Sequence, residues 1–298
     1  MLSFSAITLE DRETLEPLMQ QDGVIASIRT FASLFIWGEH YQTCFCMENG
    51  TLFFKDCNSL DRLTYHMPLG GDLEAALSLI EQDAAMQGLP YEITWVTEEG
   101  RAAMEQAAPG RFRFEELRAD FEYIYNAEDM IGLRGKKYHG KRNFINRFLM
   151  AYGGRWDYAP VDPVADYDDI LAFVCKWCEE QEGDTEDYRY EYSAIVRALK
   201  HYEELGIRGG VLRLDDKLIA FTLAVPQNET AMDILIEKAE YDIDGAYPMI
   251  NQQFATLECQ GFRYINREED MGIEGLRQAK MSYHPAFLTA KYRAVPLS

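Results

Sequence analysis

The stretch Gly210-Val-Leu-Arg-Leu-Asp-Asp-Lys-Leu-Ile-Ala-Phe-Thr-Leu-Ala-Val225 reads as two apolar strands, 210–214 and 218–225, joined at Asp215-Asp216. Short polar residues tolerate the positive φ that a tight hairpin turn demands, so the strands are expected to pair antiparallel. Downstream, 231–238 alternates as a third strand, 245–259 has helical periodicity, 262–267 is a strand, 273–283 a helix and 287–295 a last strand. Upstream lie two helical segments, 168–180 and 190–205.

The first half of the chain shows the same order. Helical patterns at 9–19, primed by Thr8 and Asp11, and at 25–37 precede strands 43–48 and 51–55, which flank Asn49-Gly50. Strand 63–68 leads through Gly70-Gly71 into a helix over 72–86. Strand 91–97, helix 98–107 and an extended stretch over 112–125 follow. Two helices, a three-stranded meander, a helix, a strand, a helix and a final strand is the element order of a GNAT domain, here met twice. The expected class is α+β: two tandem GNAT-like domains, each a mixed, mostly antiparallel sheet flanked by helices. They are expected over 1–130 and 155–298, with a basic linker and junction helix over 131–154.

The chain has 298 residues, 29 Lys and Arg against 50 Asp and Glu, and a net charge of -21, which disfavours non-specific nucleic-acid binding. No apolar run approaches the ~20 residues of a membrane span. The N-terminus has no basic, apolar and small-residue succession of a secretion signal, so a cytoplasmic location is expected. Six cysteines in a chain this long are expected as reduced thiols. Cys175-Lys-Trp-Cys178 sits within a helix rather than at its start, and no histidine pair completes a zinc site, so packing is expected and no metal. Cys44, Cys46 and Cys57 are expected at core or edge positions of strands. No Ser-His-Asp arrangement, P-loop or dinucleotide fingerprint occurs.

Positive charge is concentrated between 131 and 156, where Arg134, Lys136, Lys137, Lys141, Arg142, Arg147 and Arg155 occur without any acid. The bland reading is a solvated linker paired with the acidic block over 157–204. The alternative is anion binding, for which Arg offers a planar fork and Lys a flexible point charge, with Gly135 and Gly140 allowing close backbone approach. In 273–284, helical spacing would set Arg277, Lys280 and His284 on one face, with Glu274 a turn before Arg277. That is either an ion-pair ladder or a carbonyl- or phosphate-binding face. Arg267-Glu268-Glu269-Asp270 falls at a strand end, where a carboxylate with a raised pKa would serve as a general base or, equally, form a structural salt bridge. Tyr247 and Tyr283 are candidate proton donors.

Two segments carry a family resemblance: Leu133-Arg-Gly-Lys-Lys-Tyr-His-Gly-Lys-Arg-Asn-Phe-Ile-Asn-Arg-Phe148 and Asn266-Arg-Glu-Glu-Asp-Met-Gly-Ile-Glu-Gly-Leu-Arg-Gln-Ala-Lys-Met-Ser-Tyr-His-Pro285. They resemble the signatures of the bacterial family of the phosphatidylglycerol lysyltransferase C-terminal domain. The resemblance implies a tandem GNAT fold and transfer of an aminoacyl group from charged tRNA, or an acyl group from a CoA-like donor, to an amine or hydroxyl acceptor. Stretch 241–249, where acetyl-CoA enzymes carry a glycine-spaced pyrophosphate loop, has one glycine and two carboxylates, a poor anion cradle. The roles expected are Glu268 and Asp270 as base, Arg277 and Lys280 as stabilisers of developing charge, and Lys136, Lys137, Arg142 and Arg147 on donor phosphates. Arg134, Asn143, Arg267, Glu274 and His284 complete the expected substrate-binding set, and the N-terminal copy is expected to be mainly architectural. A catalytically silent binding module for a phosphorylated ligand is the competing expectation.

Overall fold

A computed structural model of the chain describes residues 2–180 and 186–297. The part of the acidic block at 181–185 therefore lies outside the described residues. Two mixed sheets are flanked by helices. The first runs in the order Ser5–Ala6, Thr43–Glu48, Thr51–Asp56, Leu63–His66, Tyr91–Val96, Tyr292–Pro296, Phe112–Glu116, with Leu69–Gly70 beside Thr51–Asp56. The second runs Phe287–Thr289, Glu122–Asn126, Tyr264–Asn266, Ala231–Ala239, Lys217–Pro226, Arg208–Leu214, Trp156–Pro160.

Both hairpins form as their turn residues dictate. Asn49 and Gly50 take φ of 51° and 75°, and Asp215 and Asp216 take 49° and 63°, so each turn has the two positive-φ residues that match strand twist. Each sheet has a parallel pair in the equivalent place: Leu63–His66 beside Tyr91–Val96, and Ala231–Ala239 beside Tyr264–Asn266. The edge strand Trp156–Pro160, which pairs with Arg208–Leu214, was not legible as a strand because its apolar residues do not alternate with polar ones cleanly.

The two long extended stretches differ from expectation in an instructive way. Stretch 112–125 breaks at a 3-10 turn, Arg118–Asp120, so that Phe112–Glu116 lies in the first sheet and Glu122–Asn126 in the second. The last stretch breaks likewise: Phe287–Thr289 lies at the edge of the second sheet, while Tyr292–Pro296 is inserted between Tyr91–Val96 and Phe112–Glu116 of the first. The sheets thus exchange strands, and a cut of the chain at 131–154 does not separate them. The two breaks touch, with Leu117 N–H donating to the Lys291 carbonyl at 2.9 Å.

The helix His139–Tyr152 buries Ile145 and Phe148. It packs on Ala246–Glu258 so closely that a Cβ at Gly245 (φ 89°) would stand 2.6 Å from the Phe144 carbonyl oxygen and 2.9 Å from Phe148 Cβ. The single glycine of 241–249 therefore serves helix contact. No helix among the described residues is long and apolar enough to cross a membrane.

At the strand exchange, Lys291 is 2% exposed and Glu122 fully buried, with Lys291 Nζ 2.5 Å from Glu122 Oε1. Removing one partner of a buried pair leaves a stranded charge and costs about 3–5 kcal/mol. Lys291→Met is accordingly expected to lower unfolding free energy by about that much, and Lys291→Met with Glu122→Gln by clearly less. Urea unfolding should stay a single transition by tryptophan fluorescence and far-UV circular dichroism, since each sheet holds a strand delivered by the other half. Separate transitions would show that the exchange does not couple them.

Candidate functional site

Ala231–Ala239 and Tyr264–Asn266 stay paired for only three residues, Ala231 with Tyr264, Met232 with Ile265 and Asp233 with Asn266. Beyond Asn266 the chain turns away through left-handed residues Glu268 (φ 51°), Met271 (φ 51°) and Gly272 (φ 74°), while the neighbouring strand runs on. The strands therefore part, and the gap receives side chains that an apolar core would exclude. A non-glycine residue held at positive φ costs energy, and such positions gather at functional sites.

On the side of helix Ala246–Glu258, Arg267 Nη2 lies 2.7 Å from Glu237 Oε1, which also accepts from Asn251 Nδ2 at 2.7 Å. Arg267 sits 5.1 Å over the Tyr283 ring, and Lys141 Nζ sits 3.8 Å over the same ring. Arg267 Nη1 and Asn251 Oδ1 are buried without a hydrogen-bond partner among the described residues. Lys280 donates to the carbonyls of Arg267 and Glu269. Burial, then the Arg267 charge, pulls both Lys141 and Lys280 down to about 8.

On the opposite side, toward the first half of the chain, Glu122 accepts from Ser27 N–H, Ser27 Oγ and Asn266 Nδ2 and pairs with Lys291. Asp233, fully buried, has only a 3.5 Å contact from Thr30 Oγ1, and its Oδ1 has no partner among the described residues. Burial pushes Asp233 and Glu268 well above the usual carboxylate range, helped by Glu122 and then Glu269 at Asp233 and by Asp233 and then Glu269 at Glu268. Tyr41 faces the same carboxylates and is pushed up to about 12, by burial first and Glu269 next.

Asp270 has a different character from Glu268. It accepts from Arg277 Nε and Nη2 at 2.8 and 2.9 Å, Arg118 at 3.0 Å, Tyr123 at 2.5 Å and Gly272 N–H at 2.9 Å. These donors, Arg277 above all, hold its carboxyl far below the usual range. A carboxylate so satisfied is an anchor joining three segments and a poor base, and it takes Arg277 with it.

The basic island is only partly available. Lys137 pairs with Asp129 at 3.2 Å, Arg147 with Asp244 at 2.9 Å, and Arg155 with Asp215. Arg142 donates to the carbonyls of Leu133 and Gly135, closing its own loop. Arg134 and Lys136 are exposed, Arg134 with Glu128 4.0 Å away, and Asn143 is exposed beside His139. The expected face of Arg277, Lys280 and His284 does not form. The helix ends at Met281, and His284 lies beyond it at φ 53°, its Nε2 3.2 Å from the Lys137 carbonyl. Glu274 accepts from Gln278 rather than reaching Arg277. The two signature segments nevertheless meet: Tyr138 donates to the Tyr283 carbonyl at 3.1 Å, and Lys141 covers the Tyr283 ring. Sequence reasoning missed Glu237, Asp233 and Glu122, where a polar residue in an apolar strand is the only signal, and Asn251, a polar residue on the buried face of the helix Ala246–Glu258. No group of His, Cys, Asp or Glu among the described residues is arranged to hold a metal. Cys46 is buried, while Cys44 and Cys57 bring their sulfurs within 3.6 Å as free thiols.

Asp270→Asn is expected to destabilise by about 3 kcal/mol, the low end for a broken buried pair because both arginines reach solvent. Since the folded pKa is depressed, this stability is present above the unfolded value of about 4 and is lost as pH falls below it. The variant's acid unfolding should therefore lose its steepest part, and an unchanged profile would show Asp270 to be no anchor.

A family model for the phosphatidylglycerol lysyltransferase C-terminal domain matches residues 25–295. A conserved protein of unknown function from Bacteroides thetaiotaomicron VPI-5482 is 38% identical, with all of both chains covered and a TM-score of 0.93. L-PGS from Bacillus licheniformis is 18% identical over 96% of this chain and 91% of that one, TM-score 0.65. A tandem GNAT protein from the clavulanic acid biosynthesis pathway shares the fold at 9% identity, covering 99% and 98% of the chains with a TM-score of 0.55. An uncharacterised protein of Mycoplasmoides gallisepticum is 25% identical over 175 residues, and the match spans about half of that relative, 54% of its length. With its fold and both signature segments in place, the chain belongs to the family of the phosphatidylglycerol lysyltransferase C-terminal domain.

Proposed function

We propose that the chain is an acyltransferase that takes an aminoacyl group from aminoacyl-tRNA, in the cytoplasm, and passes it to an amine or hydroxyl acceptor where the two strands part. The observation that carries this reading is Glu268: a carboxyl held at positive φ beyond the end of the parting strand, raised by burial first and then by Asp233, Glu269 and Glu122. A carboxylate whose pKa is raised is a stronger base than an ordinary one, which Asp270, held low by its donors, is not. In the step proposed, the acceptor N–H or O–H gives its proton to Glu268 as the new bond to the acyl carbon forms. The ester C–O bond to the ribose then breaks and its oxygen recovers a proton. Lys280 donates to two carbonyls and keeps one N–H for the developing oxyanion.

Lys136 and Arg134, the latter in a loose 4.0 Å contact with Glu128, are assigned to the donor's phosphates in place of the closely paired Lys137 and Arg147 and the loop-closing Arg142. A CoA donor is the weaker choice, because 241–249 has a single glycine and that glycine is used for packing against Phe144 and Phe148. The paired state of the island favours the silent binding module as second reading, and one experiment separates them. Mixed aminoacyl-tRNAs and acyl-CoAs are offered with alkylamine or polyol acceptors, following donor deacylation. Transfer from aminoacyl-tRNA is expected, falling about 10²–10⁴-fold in Glu268→Gln with the melting temperature kept. Because the Glu268 pKa is raised, kcat/KM should climb with pH through a midpoint above the ordinary carboxylate range. Absence of transfer from every donor would leave the binding module standing, and full activity in Glu268→Gln would remove the base.

A further inference from the structure

Among the seven island cations, Lys141 alone turns inward. It approaches the Tyr283 ring to 3.8 Å, and among the described residues no carboxylate lies within ion-pair distance of it. Arg267 shares that ring at 5.1 Å. Its guanidinium gives Nη2 to Glu237 and leaves Nη1 buried and unused. Glu237 is itself divided among Arg267, Asn251 and Thr222, so it cannot neutralise Lys141 as well. Lys280 is offset by Glu269 and Glu268, but Lys141 and Arg267 together face the single carboxylate of Glu237, on a chain of net charge -21. Buried polar groups are normally paired, and buried like charges repel, so an enclosure with excess positive charge and an idle guanidinium N–H is incomplete as it stands.

We propose that Lys141 and Arg267, gathered on the ring of Tyr283, form a receptor for an anionic oxygen group, a carboxylate or a phosphate, carried by the ligand of this site. The guanidinium fork has one arm on Glu237 and one free, and the ammonium supplies a point charge without fixed direction. Asn251 Oδ1, buried and equally idle, adds an acceptor beside them, so the preferred anion carries a neighbouring hydroxyl or N–H. The proposal concerns binding only. It shares the place of the transfer reading but not its chemistry, and the two fail separately.

The test follows Lys141 itself. The full chain is reductively methylated with ¹³C-formaldehyde, the Lys141 signal is assigned by its loss in Lys141→Arg, and its titration is recorded by NMR in chloride buffer, with inorganic phosphate, and with acetate. In chloride the midpoint is expected at about 8. A bound anion relieves the repulsion from Arg267 and favours the charged amine, so the midpoint should rise by about one unit or more. A rise with phosphate alone assigns a phosphate ligand, with acetate alone a carboxylate, and with both the shared oxyanion. No rise with either overturns the receptor. Arg267→Lys keeps the charge but loses the fork, and should weaken the anion at least tenfold. If that variant does not fold, Lys141→Gln, altered at a half-exposed position, should abolish the stabilisation by phosphate seen in melting curves, and an undiminished shift there also overturns the proposal. Glu268→Gln, which silences transfer in the reading above, should leave the Lys141 response intact.

Discussion

The buried contact between Lys291 and Glu122 is the constraint on which the arrangement depends. Lys291 belongs to the run that delivers Tyr292–Pro296 into the first sheet, and Glu122 opens the strand that the first half delivers into the second. Neither charge has water to fall back on, so both exchanged strands must be in place for either to be satisfied. Trp95, at a φ of 57°, lays its ring 3.9 Å from the Lys291 ammonium, and Ser27 and Asn266 fill the remaining lone pairs of Glu122. A two-sheet protein built this way has its stability and its site on one seam.

That seam explains the chemistry of the carboxylates. Asp233 belongs to the second sheet and Glu268 follows the end of one of its strands, and the first half of the chain reaches this acidic group: Thr30 contacts Asp233, Ser27 donates to Glu122 beside it, and Tyr41 feels Glu269 and Glu268. Desolvation disfavours ionisation, and the fixed negative charge of Glu122 adds to it, so carboxyls that would titrate near 4 on an open strand are raised. The N-terminal half therefore contributes more than a scaffold to the electrostatics of the parting strands. A short move of the Thr30 or Tyr41 segment would change how readily Glu268 holds its proton.

Much of the fold was legible in the chain. Asn49-Gly50 and Asp215-Asp216 announced the hairpins, because few residue pairs accept two successive positive φ values. What periodicity cannot reveal is partner choice: 112–125 and 287–295 read as continuous extended runs, and nothing local says that each half joins a different sheet. The two segments proposed to carry the site were legible as segments, and in the structure they meet around Tyr138, Lys141, Arg267 and Tyr283. Individual roles were not. Asp270 and Glu268 stand two residues apart with the same chemistry on paper, and only the presence of Arg118 and Arg277 around one and Glu122 and Asp233 around the other makes the first a permanent anion and the second a titrating acid.

The partition of charge decides what can approach the site. The surface is strongly negative overall, yet the cations near the parting strands are either paired, as in Lys137 with Asp129, or enclosed, as in Lys141 and Arg267. At physiological salt the field of surface carboxylates fades over about 8 Å, whereas enclosed charges are screened little. A polyanion therefore meets repulsion at long range and attraction only once a part of it enters. For a tRNA donor this predicts an unusual salt response: added salt weakens the few contacts at Arg134 and Lys136 but also relieves the general repulsion, so the net slope is shallow rather than steep. If the proposed donor is used, selection would rest on the acceptor stem's end fitting between the strands and not on the length of nucleic acid outside.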